Sequence, residues 1–206
     1  MGLISDGTTI FDAGAMSLGG SMVLIKKIAL SSAASTVSFV NGASDVVLDG
    51  TYKQYIFTLT NIHPSENNTG LTVGFRDGGS AYDATKTSNC FYSYHSSANT
   101  SLAAVEHLSS FDLQQATGNQ TINNNIGAGA ADECLSGELW LFNPSSTTFV
   151  KHYMIKTTSY HGAEQASTLF IGGYCNVTAA IDGVKFIMAS GNIDAGKIKL
   201  YGIKDS

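Results

Sequence analysis

Residues 52–62 read Tyr-Lys-Gln-Tyr-Ile-Phe-Thr-Leu-Thr-Asn-Ile, and within them Tyr55, Phe57 and Leu59 alternate with Ile56, Thr58 and Thr60. Successive side chains of an extended chain point to opposite faces, so this spacing predicts a strand with one large apolar face. The same period of two recurs at Leu71, Val73 and Phe75, at Leu135, Leu139 and Leu141, and at Phe149, Tyr153 and Ile155. Two closing strands use Val184, Phe186 and Met188, then Ile198, Leu200 and Gly202.

Between these runs lie turn-forming clusters: Asn61-Ile62-His63-Pro64-Ser65, Asp77-Gly78-Gly79-Ser80, Asn143-Pro144-Ser145-Ser146 and Ser190-Gly191-Asn192. Short alternating strands with such punctuation, and no amphipathic helices for parallel crossovers, predict an all-β fold. The expected architecture is an antiparallel β-sandwich, jelly-roll-like, of about eight to ten strands with little helix. Only residues 101–115, with Leu102, Val105, Leu108 and Leu113 loosely spaced, suggest a turn or two of helix. Residues 117–131, rich in Asn and Gly, read as a strand edge followed by a mobile loop. The Gly-rich stretch 1–20 reads as an anchoring arm and 21–206 as one sandwich domain, with Ile10, Phe11, Asp12 and Met16 as the arm's contact residues.

A chain of 206 residues with 43% hydrophobic and only 13% charged residues can bury a sizeable core. A net charge of −5 with a single arginine, Arg76, leaves no basic stripe for phosphates, so nucleic acid is not an expected partner. No run reaches the roughly 18 apolar residues of a membrane span. The nearest, Met22 to Leu30, is broken by Lys26 and Lys27 and preceded by Asp6 and Asp12, which do not suit a signal peptide. The expected product is made in a cytoplasm, neither exported by a cleaved signal nor inserted in a membrane. Cys90, Cys134 and Cys175 are an odd number without a Cys-x-x-Cys pair, and read as free thiols serving as small apolar residues.

Gly191-Asn192-Ile193-Asp194-Ala195-Gly196-Lys197 matches the Gly-x-x-x-x-Gly-Lys frame of a phosphate loop. Ile198 replaces the hydroxyl residue that would hold magnesium, and a strand pattern follows where a helix is required. The stretch reads instead as a hairpin loop between the last two strands, with Asn192 and Gly196 taking unusual backbone angles. His63, His95, His107, His152 and His161 are scattered and no Gly-x-Ser-x-Gly elbow exists; among the densest carboxylates, Asp132, Glu133 and Glu138, the pair Asp132-Glu133 ends a Gly/Ala loop and reads as solvated charges. No catalytic residue, cofactor or metal is expected. Asp77 and Asp83 around Gly78-Gly79 resemble a calcium loop only loosely, lacking its regular ligand spacing.

Tyr82, Tyr92, Tyr94 and His95, with Phe91, flank a polar turn. Amphipathic rings of this kind stack on sugars or on partner surfaces. The competing assignment puts Phe91 in the core and packs Tyr92 and Tyr94 against the second sheet or a neighbouring subunit.

Leu139-Trp140-Leu141-Phe142-Asn143-Pro144-Ser145 and the run from Gly191 to Ile203 carry a resemblance. So do Tyr52-Lys53-Gln54-Tyr55, the Asn61-Ile62-His63-Pro64 turn and the Asp77-Gly78-Gly79 turn. Together, from about Phe39 to Ile203, they resemble short structural proteins of tailed marine bacteriophages, including cyanophages. The shared motifs are turns and strands, so no catalytic residue is transferable. The resemblance implies a non-enzymatic virion component made in the host cytoplasm: a head decoration or fibre, or a tail appendage meeting the host surface. Its implied partners are other virion proteins, further copies of itself in a homo-oligomer such as a trimer, and, on the alternative reading, a receptor or host surface glycan. A polysaccharide hydrolase is the remaining alternative.

Overall fold

Along residues Lys151–His161 burial alternates without a break: Lys151, Tyr153, Ile155, Thr157 and Ser159 are buried, while His152, Met154, Lys156, Thr158 and Tyr160 are exposed. Such a strand has one face on a core and one in water. A computed structural model describes residues 20–98, 101–123 and 125–205, with backbone pairing alone for residues 3–5, 8–12 and 15–16. The strands are β1 (Leu3–Ser5), β2 (Thr8–Asp12), β3 (Ala15–Met16), β4 (Met22–Ala29), β5 (Val37–Val40), β6 (Gln54–Pro64), β7 (Leu71–Arg76) and β8 (Lys86–Ser96). They continue as β9 (Ala103–His107), β10 (Gln120–Thr121), β11 (Leu135–Phe142), β12 (Lys151–His161), β13 (Gln165–Cys175), β14 (Gly183–Met188) and β15 (Ile193–Ile203).

Two antiparallel sheets pack together as the predicted β-sandwich. The large sheet has eight strands in the order β4-β15-β6-β11-β12-β13-β8-β9, and the small one has four in the order β10-β7-β14-β5. Twelve strands thus build the sandwich, where eight to ten were expected. β1, β2 and β3 form a three-stranded sheet of their own. At the centre of the large sheet, β12 and β13 pair in unbroken register from Lys151 opposite Cys175 to His161 opposite Gln165.

Both inner faces feed one core. Phe57 from the large sheet meets Phe39 and Phe186 from the small one edge-to-face, with centroids 5.3 and 5.8 Å away. Phe75 and Tyr153 make a second bridge at 5.0 Å. Each such pair adds about 0.5–1.5 kcal/mol beyond burial, which itself contributes roughly 1.5–3 kcal/mol per large apolar side chain.

Several sequence expectations are corrected. Residues 117–131 are not simply a strand edge and mobile loop: Ile122 and Ile126 are fully buried, and Ile126 exchanges backbone hydrogen bonds with Asn68 and Thr69. Gln120 makes this burial workable, because its amide donates to the Phe111 and Thr121 carbonyls and accepts from Ser88 and Tyr153. Residues 101–115 do contain the short helical turn expected there, a 3-10 turn at Ser109–Phe111, but they also hold strand β9, which was not expected. The Asn61–Ser65 turn starts later: β6 runs to Pro64, and Asn61, at φ 50°, is a bulge whose N–H bonds to Ser136 Oγ. Phe149 lies outside its strand and is 69% exposed, so that the inward set begins with Lys151.

The last two strands are not a hairpin. β14 belongs to the small sheet and β15 to the large one, so residues 189–192 cross between layers. Gly196, at φ 123°, sits in a bulge of β15, where a Cβ would come within 2.6 Å of the Asn61 carbonyl oxygen. Glycine is required there by angle and by space together.

Candidate functional site

The residues picked out from sequence do not converge. Tyr92 and Tyr94 are stacked at 5.3 Å, and by strand parity they share the inward side of β8 with Cys90 and Ser88. The Tyr92 hydroxyl donates to Glu106 Oε2 at 3.3 Å, and burial, then the Glu106 charge, raises its pKa. His95 has the opposite parity and is exposed on the outer face. Tyr82 lies in the loop after β7, against Gly74 and beneath the Lys185 ammonium, 4.8 Å from the ring centre, on the outside of the small sheet. Phe91, expected in the core under one assignment, is instead 47% exposed, because its parity opposes that of buried Cys90. Ile10, Phe11 and Asp12 fall on β2 and Met16 on β3, with Phe11 opposite Met16; their side chains are outside the described residues.

Arg76 is committed to the Asp77-Gly78-Gly79 turn. It holds Asp182 through two hydrogen bonds of 2.8 and 2.9 Å, and Asp182 in turn faces the Gly78 N–H. Among the described residues, no group of three or more His, Cys, Asp or Glu side chains is placed to hold a metal.

One hollow gathers titratable groups: His63, Asp132, Cys134 and Asp194 line a space of about 510 Å³ beside the β6 and β15 bulges. His63 Nδ1 is 3.7 Å from Asp194, and its Nε2 is 3.3 Å from the Ala130 carbonyl oxygen. The Cys134 thiol is raised by burial and then by Asp132, the reverse of what a nucleophilic thiolate needs. Burial likewise pushes Cys90 and Cys175 up to about 12. His107 is bound to Asp112 at 2.7 Å, and Asp112 also takes the Cys90 N–H, so this pair straps the 3-10 turn to β8.

A different hollow, missed in the sequence, lies on the outer face of the large sheet. Cross-strand register places Trp140, Met154, Gly172 and Asn89 in one row and Glu138, Lys156, Phe170 and Phe91 in the next. These eight residues line a space of about 360 Å³. Phe91 and Phe170 stack at 5.0 Å and 11°, and the Lys156 ammonium sits 5.5 Å from the Phe170 ring centre. Trp140 stacks on Phe142 at 6.4 Å, which fixes the indole plane. The sequence did hold a signal: Trp140, Phe142, Met154 and Phe170 are large apolar residues at outward positions of strands that also turn Leu139, Leu141, Tyr153, Ile155, Leu169 and Ile171 inward.

Family models, curated proteins and solved structures were all compared with this chain, and none of them matches it.

Proposed function

We propose that the chain is a non-enzymatic surface component of a bacteriophage virion, a head decoration or fibre or a tail fibre protein, held to the particle by residues 1–20 and the adjoining edge of β4. The observation that carries this reading is the character of that edge. β4 ends the large sheet, begins just past the arm, and leaves Met22 47% and Leu24 51% exposed. Ile203 and Tyr201 stand opposite them on β15 and extend the apolar surface inward. Among the described residues no strand pairs with the outer side of β4; such an edge carrying apolar side chains is a template for strand addition by a neighbour, and Lys26 and Lys27 confine such pairing to its first half. The most displaced titratable groups, Tyr55, Tyr153, Cys90 and Cys175, are buried in the core, which suits a scaffold better than a catalyst.

Deleting residues 1–20, or making Met22→Lys with Leu24→Lys, is expected to leave a folded protein that no longer joins particles. Normal incorporation of both variants would overturn the reading. Electron microscopy of the intact particle would place the protein on head or tail, and sedimentation equilibrium would test the trimer that the resemblance implies.

A further inference from the structure

We propose that the outer-face hollow over Gly172 binds one pyranose ring of a neutral glycan. Gly172 is the first indication. It sits mid-strand in β13, where glycine weakens a sheet, yet its φ is not positive and a Cβ there would meet nothing within 4 Å. Its neighbour Gly173 faces inward, where a Cβ would lie 2.6 Å from the Tyr153 ring and hydroxyl. Packing therefore demands Gly173 and makes no demand on Gly172. What Gly172 provides is the floor of the hollow, between Met154 and Asn89, whose strands are two spacings or about 10 Å apart.

The walls select the ligand. Trp140 stands on one side and the Phe91–Phe170 stack on the other, offering ring faces whose negative quadrupole attracts the polarised C–H face of a sugar. Asn89, Glu138 and Lys156 supply a mixed donor, an acceptor and a donor at the rim, and none of the three side chains hydrogen-bonds to another described residue. A purely apolar ligand would strip water from these groups without replacing it. A phosphate ester would face the Glu138 carboxylate with a single lysine to offset it, since the lone arginine is bound to Asp182. A polyhydroxylated ring answers both walls and rim. The space, about 360 Å³, lies at the small end of the roughly 300–1,000 Å³ range of ligand pockets, which fits one ring better than a long cleft-bound chain. The β4 edge takes no part in this site, so the two proposals fail separately.

Trp140 is the only tryptophan in the chain, so its emission reports on this hollow alone. The full-length protein is screened on an array of neutral bacterial surface oligosaccharides, and retained sugars are titrated against Trp140 fluorescence. At least one sugar should shift the emission saturably. Gly172→Val, which fills open space, should keep its melting temperature within about 4 °C or raise it and bind that sugar about tenfold or more weakly. Glu138→Gln should weaken binding with the fold intact. Three results would each overturn the proposal: no neutral sugar retained, binding by Gly172→Val equal to that of the parent, or an emission shift driven by protein concentration alone. The last would assign the hollow to a second copy of the chain.

Discussion

The two faces of the central strands treat polar side chains in opposite ways. On the inner face, Lys151, Cys175 and Lys86 stand side by side in register and are almost wholly buried. Lys86 Nζ donates to the Ala84 and Thr117 carbonyls, and Lys151 Nζ to those of Ser146 and Val177, so both ammoniums tie loop ends onto the sandwich. Among the described residues, two inward atoms, Asn123 Oδ1 and Ser167 Oγ, find no hydrogen-bond partner. On the outer face, the side chains of Asn89, Glu138 and Lys156 form no hydrogen bond with any described residue, and they stand among aromatic rings. Most inward polar groups tie the structure together, whereas the side chains of these three outward residues hydrogen-bond to no described residue.

Matched substitutions on the two faces test this difference. The largest effect is expected for Phe57→Ala, at about 3–5 kcal/mol by denaturant unfolding, because Phe57 joins the aromatic bridges between the sheets. Gly173→Val should follow with a loss of roughly 1–3 kcal/mol through collision with Tyr153, whereas Gly172→Val should be neutral or stabilising. Equal losses at both glycines would mean that the outer hollow is itself part of the packing.

Alkaline titration probes the inner face as a whole. Cys90 and Cys175 rise from an ordinary value of 9.0 to about 12. The unfolded chain therefore releases these protons first, and stability present below pH 9 is lost above it. Each thiol contributes a slope of about 1.4 kcal/mol per pH unit between those limits. Lys86 and Lys151 are lowered by burial from 10.5, so as pH rises toward that value they act in the opposite sense. Above 10.5 this offset ends, and Tyr55, raised to about 12 by burial, adds to the loss. Urea unfolding should therefore show a shallow decline from pH 9 and a steeper one beyond about 10.5. A flat profile to pH 12 would contradict the burial of these groups.

A smaller loss is expected for Phe91→Ala, which at a 47% exposed position gives up its stack on Phe170 and should cost about 0.5–1.5 kcal/mol while weakening sugar binding.

Strands β6, β7, β11, β12, β14 and β15 were legible because their inward positions hold Leu, Ile, Val, Phe and Tyr in period two. β8 and β13 were not. The inward side of β8 starts with Lys86 and Ser88, and β13 is interrupted by Gly172 and Gly173, so neither shows the expected apolar alternation. The crossing at 189–192 was hidden because a turn signal looks the same whether the next strand pairs with the last or changes sheets. The aromatic cluster read from Tyr82, Tyr92, Tyr94 and His95 came apart because closeness in sequence does not fix which face a side chain takes. The hollow over Gly172 needs the register of β11, β12, β13 and β8 together, four strands spread over residues 86–175, and no local pattern contains that.

The most direct measurement follows the indole N–H resonance of Trp140 by NMR while a retained neutral oligosaccharide is added to the parent protein and to Gly172→Val in parallel. A saturable displacement of that signal is expected in the parent, little or none in the variant, and undisturbed core resonances in both. Displacements centred on Tyr92 and Tyr94, or equal movement of Trp140 in the two proteins, would contradict it.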